Sequence, residues 1–274
     1  MGERSSGGVA HAVRDGIARA ASAPAVLAGT LAVTLAFALS KSLGALFLLF
    51  DQHMAVIQVS PFGGAMYLPQ GMPLNWFILW SFLAGGILDR YARNRPTRGR
   101  GFFGACGAHF PAMLRLGLAE WLVWIAAARL DLERYPGYVA LVVGLATSLV
   151  FLYARVRLVV EDRRSALGAL LAGGRFIGRN PAAVSVFLIF AAGIWIADGL
   201  WGRLPPPGER VPVYIAAELL VTLLMFLVFA SWASAIALFQ ARLAHASYTA
   251  GPPLEWPESP AAEAITNLTP TPRV

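Results

Sequence analysis

Residues 181–201 read PAAVSVFLIFAAGIWIADGLW, a run in which Asp198 is the only charged residue. A stretch of about 20 apolar residues is long enough to cross the hydrocarbon core of a bilayer as an α-helix. Further stretches of this kind lie at residues 24–50, 73–88, 111–128, 138–160 and 213–239. The sequence therefore predicts an all-α fold, a polytopic integral membrane helical bundle with about six transmembrane helices.

The composition of the chain supports this interpretation. Hydrophobic residues make up 57% of the 274 residues and charged residues 14%, whereas soluble domains carry roughly 25% charge. The mean hydropathy is +0.62. We predict one transmembrane domain over residues 1–245. The Pro-rich, polar segment 246–274 has the composition of a disordered cytoplasmic tail.

The basic residues predict the orientation of the bundle. With the N-terminus placed inside, most of the 22 Lys and Arg residues fall in cytoplasmic segments, with one dense group at residues 90–100 and another from Arg155 to Arg179. The external segments carry only Arg129, Arg134, Arg203 and Arg210. Cytoplasmic loops are enriched in Lys and Arg, so we expect both termini in the cytoplasm of a bacterium, with the bundle in its inner membrane.

Proline marks the start of each odd-numbered predicted span, at Pro24, Pro111 and Pro181. Proline suits the first turn of a helix, and Asn180 would cap the fifth span. Each proline also follows a short basic amphipathic stretch. The pattern favours a threefold repeat, in which each unit is a cytoplasmic amphipathic helix followed by a helical hairpin. The alternative is that helical membrane proteins in general place such stretches before their spans.

The third amphipathic stretch, residues 161–180, has the clearest helical periodicity. Its apolar face comprises Leu167, Leu170, Leu171, Gly174 and Ile177. The two basic groups on the cytoplasmic side suggest contacts with anionic lipid, each worth about 1 kcal/mol per residue near a charged surface. These candidate lipid contacts are Arg93, Arg95, Arg98, Arg100, Arg163, Arg164, Arg175 and Arg179. The alternative is that these residues only fix the orientation.

Two segments of the chain resemble known families. GGILDRYAR at residues 85–93, followed by GFFGACG at residues 101–107, resembles a group of uncharacterised bacterial multi-pass membrane proteins. The segment from Ala154 through Glu161 to Pro181 is similar to the membrane domain found beside glycerophosphodiester phosphodiesterases. That domain is not the catalytic part of those enzymes, so the resemblance implies a fold and no activity.

Common catalytic motifs are absent from the sequence. It has no phosphate-binding loop ending in Gly-Lys-Ser/Thr, no Gly-x-Ser-x-Gly elbow and no His-Glu-x-x-His pair. The histidines His11, His53, His109 and His245 lie away from the middle of the spans, as partly solvated interface residues do. We therefore predict a protein that is not an enzyme and that binds no cofactor or metal.

Charged residues inside the predicted spans are the strongest functional signal. Such residues cost at least about 2.5 kcal/mol each at mid-membrane, so they pair or line a cavity. The candidate polar cluster comprises Lys41, Glu120, Asp198 and Glu218. From the helical rise, Lys41 and Asp198 lie roughly 25 Å above the inner face and Glu218 close to that height, so we predict that Lys41 pairs with one of the two. The alternatives to a functional cluster are a structural ion pair and side chains that snorkel to the outer interface.

Three functions are compatible with these features. The first is a non-enzymatic scaffold or accessory subunit of a larger membrane assembly, with lipids and other membrane subunits as partners and no nucleic acid. The second is a transporter or lipid-handling protein that uses the polar cluster, which opens outward. The third is an intramembrane enzyme with Glu120 or Asp198 as general acid or base, for which the sequence offers no second catalytic group at close spacing.

Overall fold

A computed structural model describes residues 8–41, 74–129, 137–163, 165–201 and 211–242, and all regular structure in these ranges is α-helical. The all-α prediction is therefore confirmed for these residues. Along the chain the helices are α1 (Val9–Ala21), α2 (Pro24–Lys41), α3 (Leu74–Arg93), α4 (Gly99–Arg129), α5 (Gly137–Val160), α6 (Ala166–Arg179), α7 (Ala182–Trp201) and α8 (Val211–Arg242).

Two to four membrane crossings follow from the length and composition of these helices. The segments Val142–Val160 of α5 and Leu219–Arg242 of α8 are each long and apolar enough to cross alone. Two more crossings result if each bent helix pair counts as one span. These pairs are α1 with α2, bent by 65°, and α6 with α7, bent by 98°.

The two bends lie at the predicted prolines. α2 begins at Pro24, and Pro181 directly precedes α7. Asn180 has a different role from the predicted one, because its side-chain Nδ2 donates to the Phe176 carbonyl at 3.0 Å and so closes α6. The Asn180 backbone carbonyl accepts from Ala183 N at 2.9 Å at the start of α7.

The middle copy of the predicted repeat is one continuous helix. Pro111 lies inside α4, a single helix of 31 residues, so the prediction that a helix begins there is wrong. Proline removes one i→i−4 hydrogen bond from a helix interior. The rest of the helix is held from both sides, since its first half packs on α3 and its second half contacts α5.

Each amphipathic segment packs on a neighbouring long helix through a small residue. α1 lies against α8, the first half of α4 lies against α3, and α6 lies against α5. Gly16 of α1 touches the Ser234 backbone so closely that a Cβ would overlap it, and a Cβ on Gly173 of α6 would lie 3.0 Å from Ala154 N. In α4 the pattern is reversed, because Gly86 of α3 receives Cys106.

The C-terminal halves of α3, α5 and α8 form the centre of the fold. Each of the three helices contacts the other two. The side chains of Tyr91, Tyr153 and Trp232 are almost fully buried there. The Tyr91 ring lies 6.3 Å from the Phe229 ring, measured between centroids. At this end of the bundle, three amphipathic segments therefore surround three inner helices.

The predicted apolar face of the third amphipathic segment is divided between the core and the outside. The buried residues of α6 are Ala169, Gly173 and Phe176, and Leu170 and Ile177 of the predicted face pack partly against the core beside them. Leu167 and Leu171 point away from the core and are 70% and 65% exposed.

Candidate functional site

The structure describes the side chain of one member of the predicted polar cluster, Glu120. Lys41, Asp198 and Glu218 lie outside the residues whose side chains the structure describes, and the pairing of Lys41 stays a prediction. Glu120 is 1% exposed and lies on α4. The cluster as a whole is therefore untested, whereas the environment of Glu120 is defined.

Glu120 forms an ion pair with Arg155 of α5. Arg155 Nη2 donates to Glu120 Oε2, and both side chains are largely buried. From the sequence, Arg155 was predicted on the cytoplasmic side, and this pair was not predicted. The signal was present, since Arg155 lies five residues before the end of α5, roughly 7.5 Å inside it along the helix axis. The pair links α4 to α5.

At the α1–α8 junction, hydrogen bonds also reach α3. Arg19 Nη1 donates to the Tyr91 carbonyl at 3.1 Å and to Gln240 Oε1 at 2.8 Å. Gln240 Nε2 donates to the Ala92 carbonyl at 2.9 Å. Asp15 is 2.8 Å from Arg19 Nη2. These bonds satisfy two carbonyls in the last turn of α3 that have no partner within that helix.

At the α5–α6 junction, an arginine and two aromatic rings fill the contact with α8. Arg157 Nη1 donates to the Ala172 carbonyl at 2.7 Å, and Arg157 Nη2 lies 2.6 Å from Glu161 Oε1. The Arg157 guanidinium lies over the Phe239 ring at 5.5 Å from its centroid. Phe176 packs edge-on against Phe239 at 4.9 Å between centroids. Arg157 therefore connects all three helices.

At the α3–α4 junction, a carboxylate takes the place of the arginine. Asp89 accepts from Arg93 Nε at 2.8 and 2.9 Å, and His109 Nε2 lies 3.8 Å from Asp89 Oδ1. Burial by itself raises the pKa of Asp89, but the interactions with His109 and Arg93 outweigh it and hold that pKa below its ordinary value. His109 is 8% exposed, so the prediction of a partly solvated interface histidine is wrong for this residue.

A pocket of about 710 Å³ opens beside the α3–α4 junction, between these two helices and the end of α5. Five of its lining residues carry ionisable side chains: Asp89, Arg93, Arg95, His109 and Asp162. The α4 wall is made of small residues, Gly101, Gly104, Ala105 and Ala108. This pocket was not predicted from the sequence, although the segment GFFGACG at residues 101–107 is rich in glycine.

The predicted lipid-contacting arginines are mostly exposed. Arg95, Arg98, Arg100, Arg175 and Arg179 are exposed. The other described members are also exposed and form ion pairs within the protein, Arg93 with Asp89 and Arg163 with Glu161. Arg164 lies outside the described residues. Within the described part of the chain, His, Cys, Asp and Glu side chains form no group that could hold a metal ion.

Comparison of the chain with protein-family models, with curated proteins and with solved structures gives no match in any of the three.

Proposed function

We propose that this chain is a non-enzymatic integral membrane protein that serves as a scaffold or accessory subunit of a larger membrane assembly. The observation that carries this proposal is the use of the buried charged groups. Glu120 with Arg155, Arg19 with Gln240, and Arg157 with the Ala172 carbonyl all connect one helix to another. Buried polar side chains that link one helix to another give a rigid framework.

The proposed topology has six spans arranged as three repeated units. Unit 1 comprises α1 to α3, unit 2 comprises α4 and α5, and unit 3 comprises α6 to α8. The cyclic packing supports it, because the first helix of each unit lies on the last helix of the preceding unit, and α1 closes the ring on α8. Nearest-neighbour packing between equivalent elements is what an internal repeat produces.

The proposed location is the bacterial inner membrane, with both termini in the cytoplasm. The large exposed apolar side chains of α7, such as Leu188, Ile189 and Ile196, suit contact with lipid tails or with another membrane subunit. The positive-inside distribution supports the orientation. Reporter fusions at Gly2 and Val274 test it, and we expect cytoplasmic signals from both. A periplasmic signal from either end would contradict the six-span topology.

The scaffold role is tested by isolating the tagged chain from its native membrane in a mild detergent. We expect a membrane protein partner in fixed stoichiometry. The matched variant is Ile196→Ala together with Leu188→Ala, which trims the exposed α7 face and leaves the central contacts intact. Loss of the partner in this variant alone would identify the docking face. A chain that purifies without any partner and gives substrate-dependent flux in proteoliposomes would refute the scaffold proposal.

A lipid-handling role is the second candidate, and the pocket at the α3–α4 junction favours it. Arg93 and Arg95 at the pocket, with the exposed Arg98 and Arg100 close by in sequence, suit contact with lipid phosphate groups. In this proposal the partners are membrane lipids, with anionic lipid at the exposed arginines. Replacing Arg98, Arg100, Arg175 and Arg179 by Gln should reduce the anionic lipid that remains bound in native mass spectrometry.

A further inference from the structure

Near each of the three junctions, the first helix of a unit faces the last helix of the same unit. In unit 1 the space between these two helices is closed, because Arg19 of α1 donates to the Tyr91 carbonyl of α3. In unit 3 it is closed by Phe176 of α6, which packs on Phe239 of α8. A hydrogen bond therefore fills the space between the two helices in unit 1, and an aromatic contact fills it in unit 3.

In unit 2 a pocket lies between the first and the last helix. Along it α4 presents the small residues Gly101, Gly104, Ala105 and Ala108 together with His109, and a Cβ added at Gly101 or Gly104 would meet no atom within 4 Å. On the opposite side are Val159 and Val160 at the end of α5 and Asp162 just after it. The small residues near the start of α4 therefore leave a space of 710 Å³ between the two helices.

The charges of the pocket restrict the chemistry of an occupant. Arg93 and Arg95 supply two positive charges, and Asp89 and Asp162 supply two negative charges, while His109 lies against Asp89. Asp89 is paired with Arg93, which leaves Arg95 to attract an anion and Asp162 to attract a cation. The first turn of α4 also contributes unpaired backbone N–H groups near Gly101, which favour an anion.

We propose that this pocket binds the headgroup of an amine-bearing phospholipid, with the phosphate at Arg95 and the start of α4 and the ammonium at Asp162. A zwitterionic headgroup matches a lining with equal numbers of positive and negative side chains, and Ala105, Ala108 and Val159 offer apolar contact to the glycerol and the first acyl carbons. The volume lies within the usual range of ligand pockets, about 300–1,000 Å³. The inference rests on the proposed membrane topology and specifies the lipid-handling role.

The experiment measures phospholipid retained by the full chain in native mass spectrometry, after exchange into micelles that contain equal amounts of phosphatidylethanolamine, phosphatidylglycerol and phosphatidylcholine. We expect one retained phosphatidylethanolamine per chain. Gly104→Leu places a side chain in the pocket without a backbone clash and should lower this retention about tenfold. The matched control is Gly107→Leu, on the same helix, equally open around the Cβ and outside the pocket lining; it should retain lipid as the wild type does.

Three further measurements make the result decisive. Asp162→Asn should remove the preference for phosphatidylethanolamine over phosphatidylglycerol. Ala108→Leu should reproduce the effect of Gly104→Leu, and thermal unfolding of both variants shows whether they fold. Displacement of the lipid by millimolar inorganic phosphate would identify a free-phosphate site and overturn the proposal. Equal retention by Gly104→Leu, Ala108→Leu and the wild type, or equal retention of the three lipids by the wild type, would also overturn it. The reporter fusions test the topology independently of these results.

Discussion

The α5–α6 and α3–α4 junctions share one backbone arrangement and differ in their side chains. In both, a short amphipathic segment lies on the C-terminal half of a long helix at a contact that only a small residue permits, Gly173 against Ala154 and Gly86 against Cys106. The first is sealed by Arg157 and two phenylalanine rings, whereas the second borders a pocket lined by glycine and alanine. Close backbone contact therefore sets the geometry, and the larger side chains determine whether the space is closed.

The open unit is held together at a different place. α4 approaches α5 along its second half, where Glu120 pairs with Arg155. In units 1 and 3 the described contact between first and last helix lies at the end of the bundle, at Arg19 or Phe176. In unit 2 the Glu120–Arg155 pair lies away from the end of the bundle, and the pocket lies at that end.

Breaking the Glu120–Arg155 pair should have the largest effect on stability. Glu120→Gln leaves the Arg155 charge buried without its partner, and loss of one member of a buried pair costs about 3–5 kcal/mol. We expect a lower midpoint of thermal unfolding in detergent and a larger loss than for any exposed charge, such as Arg175→Gln. The double variant Glu120→Met with Arg155→Leu removes both charges and should recover most of the loss. Additive losses would contradict a direct pair.

Closed and open junctions should respond in opposite ways to an added side chain. Gly173→Leu drives a side chain into the Ala154 backbone and should cost about 3 kcal/mol, at the upper end for overpacking. Gly174→Leu, one residue later, meets open space around its Cβ and should be neutral or slightly stabilising, since Gly is the poorer helix former. Gly104→Leu should behave as Gly174→Leu does. Equal destabilisation by all three variants would remove the distinction between the junctions.

The helical class and the position of two helix breaks could be predicted from the sequence. Long apolar runs indicate helices, prolines indicate where helices begin, and both signals depend only on neighbouring residues. Pro24 and Pro181 mark bends as expected. Pro111 does not break its helix, because α4 is held by contacts on both sides of it, with α3 along its first half and with Arg155 of α5 along its second. Local propensity cannot include these contacts between distant parts of the chain. The count of six spans extends over residues outside the described ranges.

The candidate site was harder to predict. Hydropathy identified Glu120 as unusual, yet its partner Arg155 was counted among the cytoplasmic basic residues. Depth along a helix does not reveal the direction in which a side chain points, and this direction separates Arg155, which faces α4, from Arg157, which faces α6. The pocket exists because several α4 residues that line it are glycine or alanine and have little or no side chain. A glycine-rich segment alone does not show which helix faces it.

Unit 1 tests whether a polar contact closes a junction as firmly as an aromatic one. Arg19→Met keeps the aliphatic part of the side chain and removes the bonds to the Tyr91 carbonyl, Gln240 and Asp15. Hydrogen bonds to charged groups contribute about 1.5–3 kcal/mol, and we expect a loss of about 2 kcal/mol in the free energy of unfolding. Arg14→Met, on the exposed side of α1, is the control and should change stability little. Hydrogen exchange should increase at the end of α3 in the first variant alone.

The smallest effect concerns Asp89 and depends on pH. The pKa of Asp89 is lower in the folded protein than its ordinary value of 3.8. The carboxylate therefore adds stability above pH about 4, and this contribution disappears as the pH falls through the folded pKa. Arg93, which is half exposed, and His109 face Asp89 directly, and Arg95 and Asp162 share its pocket.

Because pairs with an exposed partner contribute at most about 1 kcal/mol, Asp89→Asn should lower stability by less than this at pH 7. The difference from the wild type should shrink as the pH falls below about 4, measured by thermal unfolding in detergent. A difference that stays constant over this range would show that Asp89 acts through packing and not through its charge.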